Sequence, residues 1–138
     1  MIQEEATQSS KNMNEVKLEE IIDSGINSFR DLRVWQKGIE LVKEIYKITR
    51  YFPKEEQDGL ASQMRKAVVS IPSSIAEGFK RKDKKLYKQF LGIALGYLAK
   101  LETQIAIATE LRYIEEHRGI SEIIDYICKM INNLNKKL

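Results

Sequence analysis

The stretch Ser70-Ile71-Pro72-Ser73-Ser74-Ile75-Ala76-Glu77-Gly78 decides how this chain is read. Apolar residues at Val68, Ile71, Ile75 and Phe79 recur at helical spacing, yet Pro72 stands in the middle of them. A proline inside a helix removes one backbone hydrogen bond and crowds the preceding turn, costing roughly 3 kcal/mol. The pattern persists on both sides, so the segment reads as a helix kinked at Pro72. The hydroxyls of Ser70, Ser73 and Ser74 are placed to bond nearby backbone carbonyls. A basic run from Lys80 to Lys88 follows directly.

Working outward, the rest of the chain also reads as helices. Two prolines and seven glycines in 138 residues leave few of the punctuation points that a many-turned sheet needs. The chain is 43% apolar and 31% charged, as ordinary globular proteins are, and long enough for one domain with its own core. The fold class expected is all-α: an antiparallel up-down four-helix bundle, oligomeric, with a Pro-kinked second helix. Residues 27–138 would form the bundle. Residues 1–26 would be a polar extension, in which Val16, Leu18, Ile21 and Ile22 could form a short amphipathic helix ended by Gly25.

The first helix is expected from Ser28, with Asp31 in the capping-box position. Its seam would be Leu32, Trp35, Ile39, Val42, Tyr46 and Thr49, and Phe52-Pro53 would stop it. The second starts soon after Pro53, with Glu55, Glu56 and Asp58 near its positive end. Its stripe is Leu60, Met64, Ala67, Val68, Ile71 and Ile75, and Gly78 is a weak point. The third would be capped by Asp83 and run to Tyr113 or Ile114. It carries two apolar stripes: Tyr87, Leu91, Ala94, Leu98, Leu101, Ile105 and Ala108, then Leu86, Phe90, Ile93, Tyr97, Ile107, Leu111 and Ile114. A bundle of four helices needs only one stripe, so the second implies a companion chain. Leu86, Phe90, Ile93 and Tyr97 are therefore the candidate oligomer interface. Gly92, Ala94, Gly96 and Ala99 would permit close helix approach. Gly119 marks the last turn, Ser121 caps the fourth helix, and Ile120, Ile124, Ile127, Ile131 and Leu134 form its stripe.

Little in the chain points to catalysis. His117 is the single histidine, beside Glu115 and Glu116 in an expected exposed turn, and a metal needs several convergent ligands. Ser70, Ser73 and Ser74 have no visible base or oxyanion hole. Cys128 cannot form an internal disulfide and reads as a buried, inert thiol. Glu77 lies among apolar neighbours and would need an ion-pair partner on another helix or chain. The expectation is no enzyme activity, no cofactor and no metal. Met1 to Ser10 is polar and acidic, and no window holds 18 uncharged apolar residues, so a cytoplasmic protein without a membrane segment is expected.

The charge distribution is the best functional lead. Net charge is only +3, but residues 1–28 carry two Lys against six acids, whereas residues 60–90 carry eight Lys and Arg against Glu77 and Asp83. Lys80, Arg81, Lys82, Lys84, Lys85 and Lys88, with Arg65 and Lys66 as lesser candidates, form the candidate nucleic-acid-binding set, because clustered cations attract phosphate. Tyr87 could stack on an unpaired base if exposed, though its stripe suggests packing. Solvated surface charge is the competing reading.

These residues resemble a known family: the small four-helix-bundle proteins encoded in intervening sequences of bacterial 23S ribosomal RNA genes. The resemblance rests on Phe29 to Trp35, Phe52-Pro53, Gln63 to Ala67 and Ser70 to Gly78, extended by Phe90-Leu91, Ala94, Gly96 and Leu101 to Gln104. It covers roughly residues 28 to 115, and this chain departs from it at Ser74, Tyr97 and Lys100. The resemblance implies an antiparallel four-helix bundle assembled in rings of five, with no established enzyme activity. Related bundles serve as accessory factors of retroelements, partner a reverse transcriptase and bind nucleic acid. The expected function is a homo-oligomer, a homopentamer by resemblance, that binds RNA or DNA through the junction of helices two and three. The alternative is a protein scaffold holding a partner, such as a reverse transcriptase, without nucleic-acid affinity of its own.

Overall fold

The structure is a computed structural model that describes residues 26–115 and 117–138. The short helix expected within residues 1–25 lies outside the described residues. Four α-helices make up the fold, with no strand among the described residues: α1 (Arg33–Thr49), α2 (Leu60–Lys80), α3 (Lys84–Glu110) and α4 (Arg118–Lys137). Single 3-10 turns, Phe29–Asp31 and Lys54–Glu56, precede α1 and α2. α1 packs on α2 and α4, α2 on α3, and α3 on α4, while the two diagonal pairs stay apart. All four helices surround one apolar core that includes Leu41, Ile45, Met64, Ile71, Ile75, Leu91, Leu98, Leu101, Ile124, Ile127 and Ile131.

The first stripe expected on α3 and the stripe expected on α4 are buried as read. Tyr87, Leu91, Ala94, Leu98, Leu101, Ile105 and Ala108 line the core from α3, and Ile120, Ile124, Ile127, Ile131 and Leu134 from α4, joined there by Ile123. The stripe on α2 is buried except for Leu60, which is half-buried and gives its place to Ala61.

The seam of α1 is displaced from the expected one. Val34, Gly38, Leu41, Ile45 and Thr49 are buried, whereas Trp35, Ile39 and Val42 are half-buried and Tyr46 is exposed. Gly38 explains the shift. A Cβ on Gly38 would meet the Pro72 ring at 3.1 Å, so a missing side chain on α1 receives the proline of α2. α2 runs through Pro72 without interruption, and Pro72 is itself buried. Ser70 and Ser73 donate to the carbonyls of Lys66 and Val69 at 2.9 and 2.8 Å, so both hydroxyls are satisfied one turn back along the helix.

Helix ends account for most other departures. Ser28 accepts a hydrogen bond from the Arg30 amide at 3.1 Å, so it caps the 3-10 turn and not α1. The Glu56 carboxylate accepts from the Leu60 amide at 3.0 Å and from the Tyr113 hydroxyl at 3.0 Å, which joins the start of α2 to the loop after α3. α3 stops at Glu110, short of Tyr113, because Arg112 adopts a left-handed conformation at φ 64. The amides of Arg112 and Tyr113 then close back on the carbonyls of Thr109 and Ala108, the paired bonds that seal a helix carboxyl end. Ile114 turns into the core and leaves the second stripe. α4 begins at Arg118, so Gly119 and Ser121 lie inside it. His117 occupies the cap position, and its Nδ1 lies 3.2 Å from the Ser121 hydroxyl.

Candidate nucleic-acid interface

The turn between α2 and α3 is built from its own residues. α2 ends at Lys80, Lys82 takes a left-handed conformation at φ 54, and the Asp83 carboxylate accepts from the Leu86 amide at 3.0 Å to start α3. The left-handed position costs a side-chain-bearing residue roughly 1–2 kcal/mol. In exchange, three residues reverse the chain. Gly78 makes that reversal tight: a Cβ there would stand 2.7 Å from the Phe90 Cβ and 3.1 Å from the Tyr87 ring. Gly78 is thus a point of contact between α2 and α3, not a weak point, and the helix continues past it.

Lys80, Arg81, Lys82, Lys84, Lys85 and Lys88 are all exposed around this turn. Among the described residues Arg81 alone of these is paired, at 3.4 Å from Glu77, and its guanidinium lies over the Phe90 ring at 5.2 Å. Glu77 is exposed and its partner is Arg81, the residue that follows its own helix, where a partner on another helix or chain was expected. Lys84 and Lys85 occupy the first turn of α3, where the helix dipole is positive and the capping Asp83 is the acid beside them. Tyr87 is buried, so it offers no stacking face to a base. Burial pushes its hydroxyl well above the ordinary tyrosine range, and the hydroxyl oxygen has no hydrogen-bond partner among the described residues.

Arg65 and Lys66 do not join this cluster. They lie about four turns, roughly 22 Å, from Lys80 along α2. They line a separate open groove of about 810 Å³ together with Tyr46 of α1 and Tyr97 and Lys100 of α3. The Arg65 side chain is fixed there: its Nε donates to the Thr49 hydroxyl at 2.9 Å, and its guanidinium lies 4.9 Å over the Tyr46 ring. Thr49 is fully buried and donates to the Ile45 carbonyl at 2.7 Å. No sequence pattern announces this groove, because its walls come from three helices.

The four interface candidates also divide. Leu86 and Ile93 are exposed on the outer side of α3, with Ile107 and Leu111 further along. Phe90 is half-buried beneath Arg81, and Tyr97 is half-buried at the groove. Gly92 and Gly96 have open space where a Cβ would stand, so they serve no close approach among the described residues. α3 is long and apolar enough to cross a membrane by length and composition, with 33% of its most apolar window buried. Cys128 is half-buried, and its thiol is pushed up first by burial and then by the charges of Glu102 and Asp125.

No group of three or more His, Cys, Asp or Glu is placed to hold a metal among the described residues. No curated protein matches the chain. The family model described as 23S rRNA-intervening sequence protein matches residues 30–133. That span takes in α1 to α3 and nearly all of α4, and with it the basic turn. The chain belongs to the 23S rRNA-intervening sequence protein family.

Proposed function

We propose that this protein is a non-enzymatic, cytoplasmic homo-oligomer that binds RNA or another nucleic acid through the α2–α3 turn. The observation that carries this reading is Lys84 and Lys85 at the positive end of α3, beside a left-handed Lys82. None of the three has an ion pair among the described residues. Lys84 and Lys85 oppose the dipole of α3 and Lys82 holds a left-handed backbone position, and sequences break such local rules chiefly where function is served. A phosphate backbone at the turn would relieve both the dipole and the charge repulsion.

The bundle is read as antiparallel and up-down, with α2 bent at Pro72. Gly38 faces Pro72 and Thr49 meets Arg65, so residue numbers rise along α1 as they fall along α2. Assembly, pentameric by family resemblance, would use the outer side of α3 at Leu86 and Ile93 and repeat the basic turn around a ring. Many weak phosphate contacts would then act together.

The test is titration with structured RNA at low and moderate salt. Changing Lys82, Lys84 and Lys85 to Glu should weaken binding, and the slope of log affinity against log salt should fall by about 2–3. Acids at positions 84 and 85 suit the helix start, so the fold should survive. Unchanged affinity would refute the reading. A second reading is favoured by the exposed apolar side of α3: a scaffold that holds a protein partner, such as a reverse transcriptase. Absence of RNA binding at low salt, with assembly intact, would select it.

A further inference from the structure

We infer that the groove bounded by Tyr46, Arg65, Lys66, Tyr97 and Lys100 is a second, separate binding site, and that it takes unpaired nucleic-acid strand. The inference rests on the nucleic-acid reading above and assigns that reading a strand preference. The groove gathers side chains from three helices around about 810 Å³, within the roughly 300–1,000 Å³ range of ligand-holding clefts. Arg65, Lys66 and Lys100 have no ion pair among the described residues, whereas Lys37, Lys47 and Arg81 elsewhere on the surface do. Asp58 is the one acid on the rim, so the lining carries excess positive charge.

The groove is also prepared in advance. A buried threonine and an aromatic face together hold Arg65 in one place. Much of the entropy that a free arginine would lose on gripping phosphate is therefore already spent. Tyr46 remains 42% exposed despite the guanidinium on its ring, and Tyr97 is half-buried on the opposite side. Cations beside accessible aromatic rings suit a strand whose bases are free to stack. A duplex offers phosphates to the same cations but keeps its base faces stacked inside, so it gains nothing from the tyrosines.

Fluorescence anisotropy with a short labelled oligonucleotide, alone and annealed to its complement, tests this on the full chain. The single strand should bind more tightly than the duplex. Tyr46→Ala should cost the single strand about tenfold in affinity and the duplex far less, since the duplex loses only the ring's hold on Arg65, with Tyr46→Phe restoring it. Lys66→Ala and Lys100→Ala, both at exposed positions, should weaken the single strand without touching the fold as followed by circular dichroism. Equal affinity for both strands and a silent Tyr46→Ala would overturn the groove site, while the Lys82, Lys84 and Lys85 variant still weakening both would leave the turn reading standing. Binding of neither form would overturn both. Displacement of the strand by polyglutamate at lower concentration than by unlabelled strand would also overturn it and assign the groove to an acidic protein segment.

Discussion

Tyr87 carries a hydroxyl into the core and finds it no partner. An unsatisfied buried hydroxyl costs about 1–3 kcal/mol, and a ring without it packs in the same space. Tyr87→Phe should therefore stabilise the protein by about 1 kcal/mol, read as a higher urea midpoint at unchanged slope. The same residue sets an alkaline limit. Burial holds it protonated in the folded chain, while in the unfolded chain it ionises from about pH 10. Above that pH the unfolded state binds fewer protons than the folded one, so stability falls as pH rises. Tyr113 adds in the same direction: its hydrogen bond to Glu56, then burial, then the charges of Glu56 and Glu55 raise its pKa. Tyr87→Phe should remove the larger part of the alkaline loss. Equal loss in both proteins would mean that water reaches the Tyr87 hydroxyl.

At the scale of the element, glycines with opposite surroundings make a paired prediction. Gly78→Ala drives a methyl into Phe90 and Tyr87 and should destabilise by about 1–3 kcal/mol, less what alanine returns in helix propensity. Gly92→Ala and Gly96→Ala meet nothing within the chain and should each stabilise the isolated fold by up to about 1 kcal/mol. If a second copy packs on this side of α3, the same two changes should raise the melting temperature of dilute protein yet loosen assembly in sedimentation. The glycines also mark what the sequence could and could not tell. The stripes of α3 and α4 were legible because Leu, Ile and Ala hold the spacing without a gap. The seam of α1 was not, because its second position is Gly38, which counts as nothing in an apolar pattern until Pro72 is seen against it. The ends of α3 and α4 were misread for one reason in two forms. Arg112 takes the left-handed stop that glycine usually provides, while Gly119 sits inside a helix that it was expected to precede. The basic turn could be read from composition along the chain. The groove could not, since Tyr46, Arg65 and Lys100 come together only by packing.

For the whole molecule the open question is what covers the outer side of α3. Ile93 and Ile107 are each 45% exposed on a helix whose inner stripe already fills the core, and Leu111 just past its end is 51% exposed. An exposed apolar strip of this kind favours association. Light scattering should give a mass that is a multiple of the 16.0 kDa chain, five-fold for the ring. Leu86→Gln with Ile93→Gln should return the protein to a monomer with the helix content intact, because neither side chain belongs to the buried core and no charge is added beside the turn. The same variant separates ring from turn. Its basic residues are untouched, so a single turn should hold RNA as before, but the avidity of several turns on one polyanion is gone. Affinity for long RNA should fall by about 10²-fold or more, while affinity for a fragment that reaches one turn stays level. Equal affinity for long and short RNA in the parent protein would mean that each turn binds alone, and assembly would then need another purpose, such as holding a protein partner.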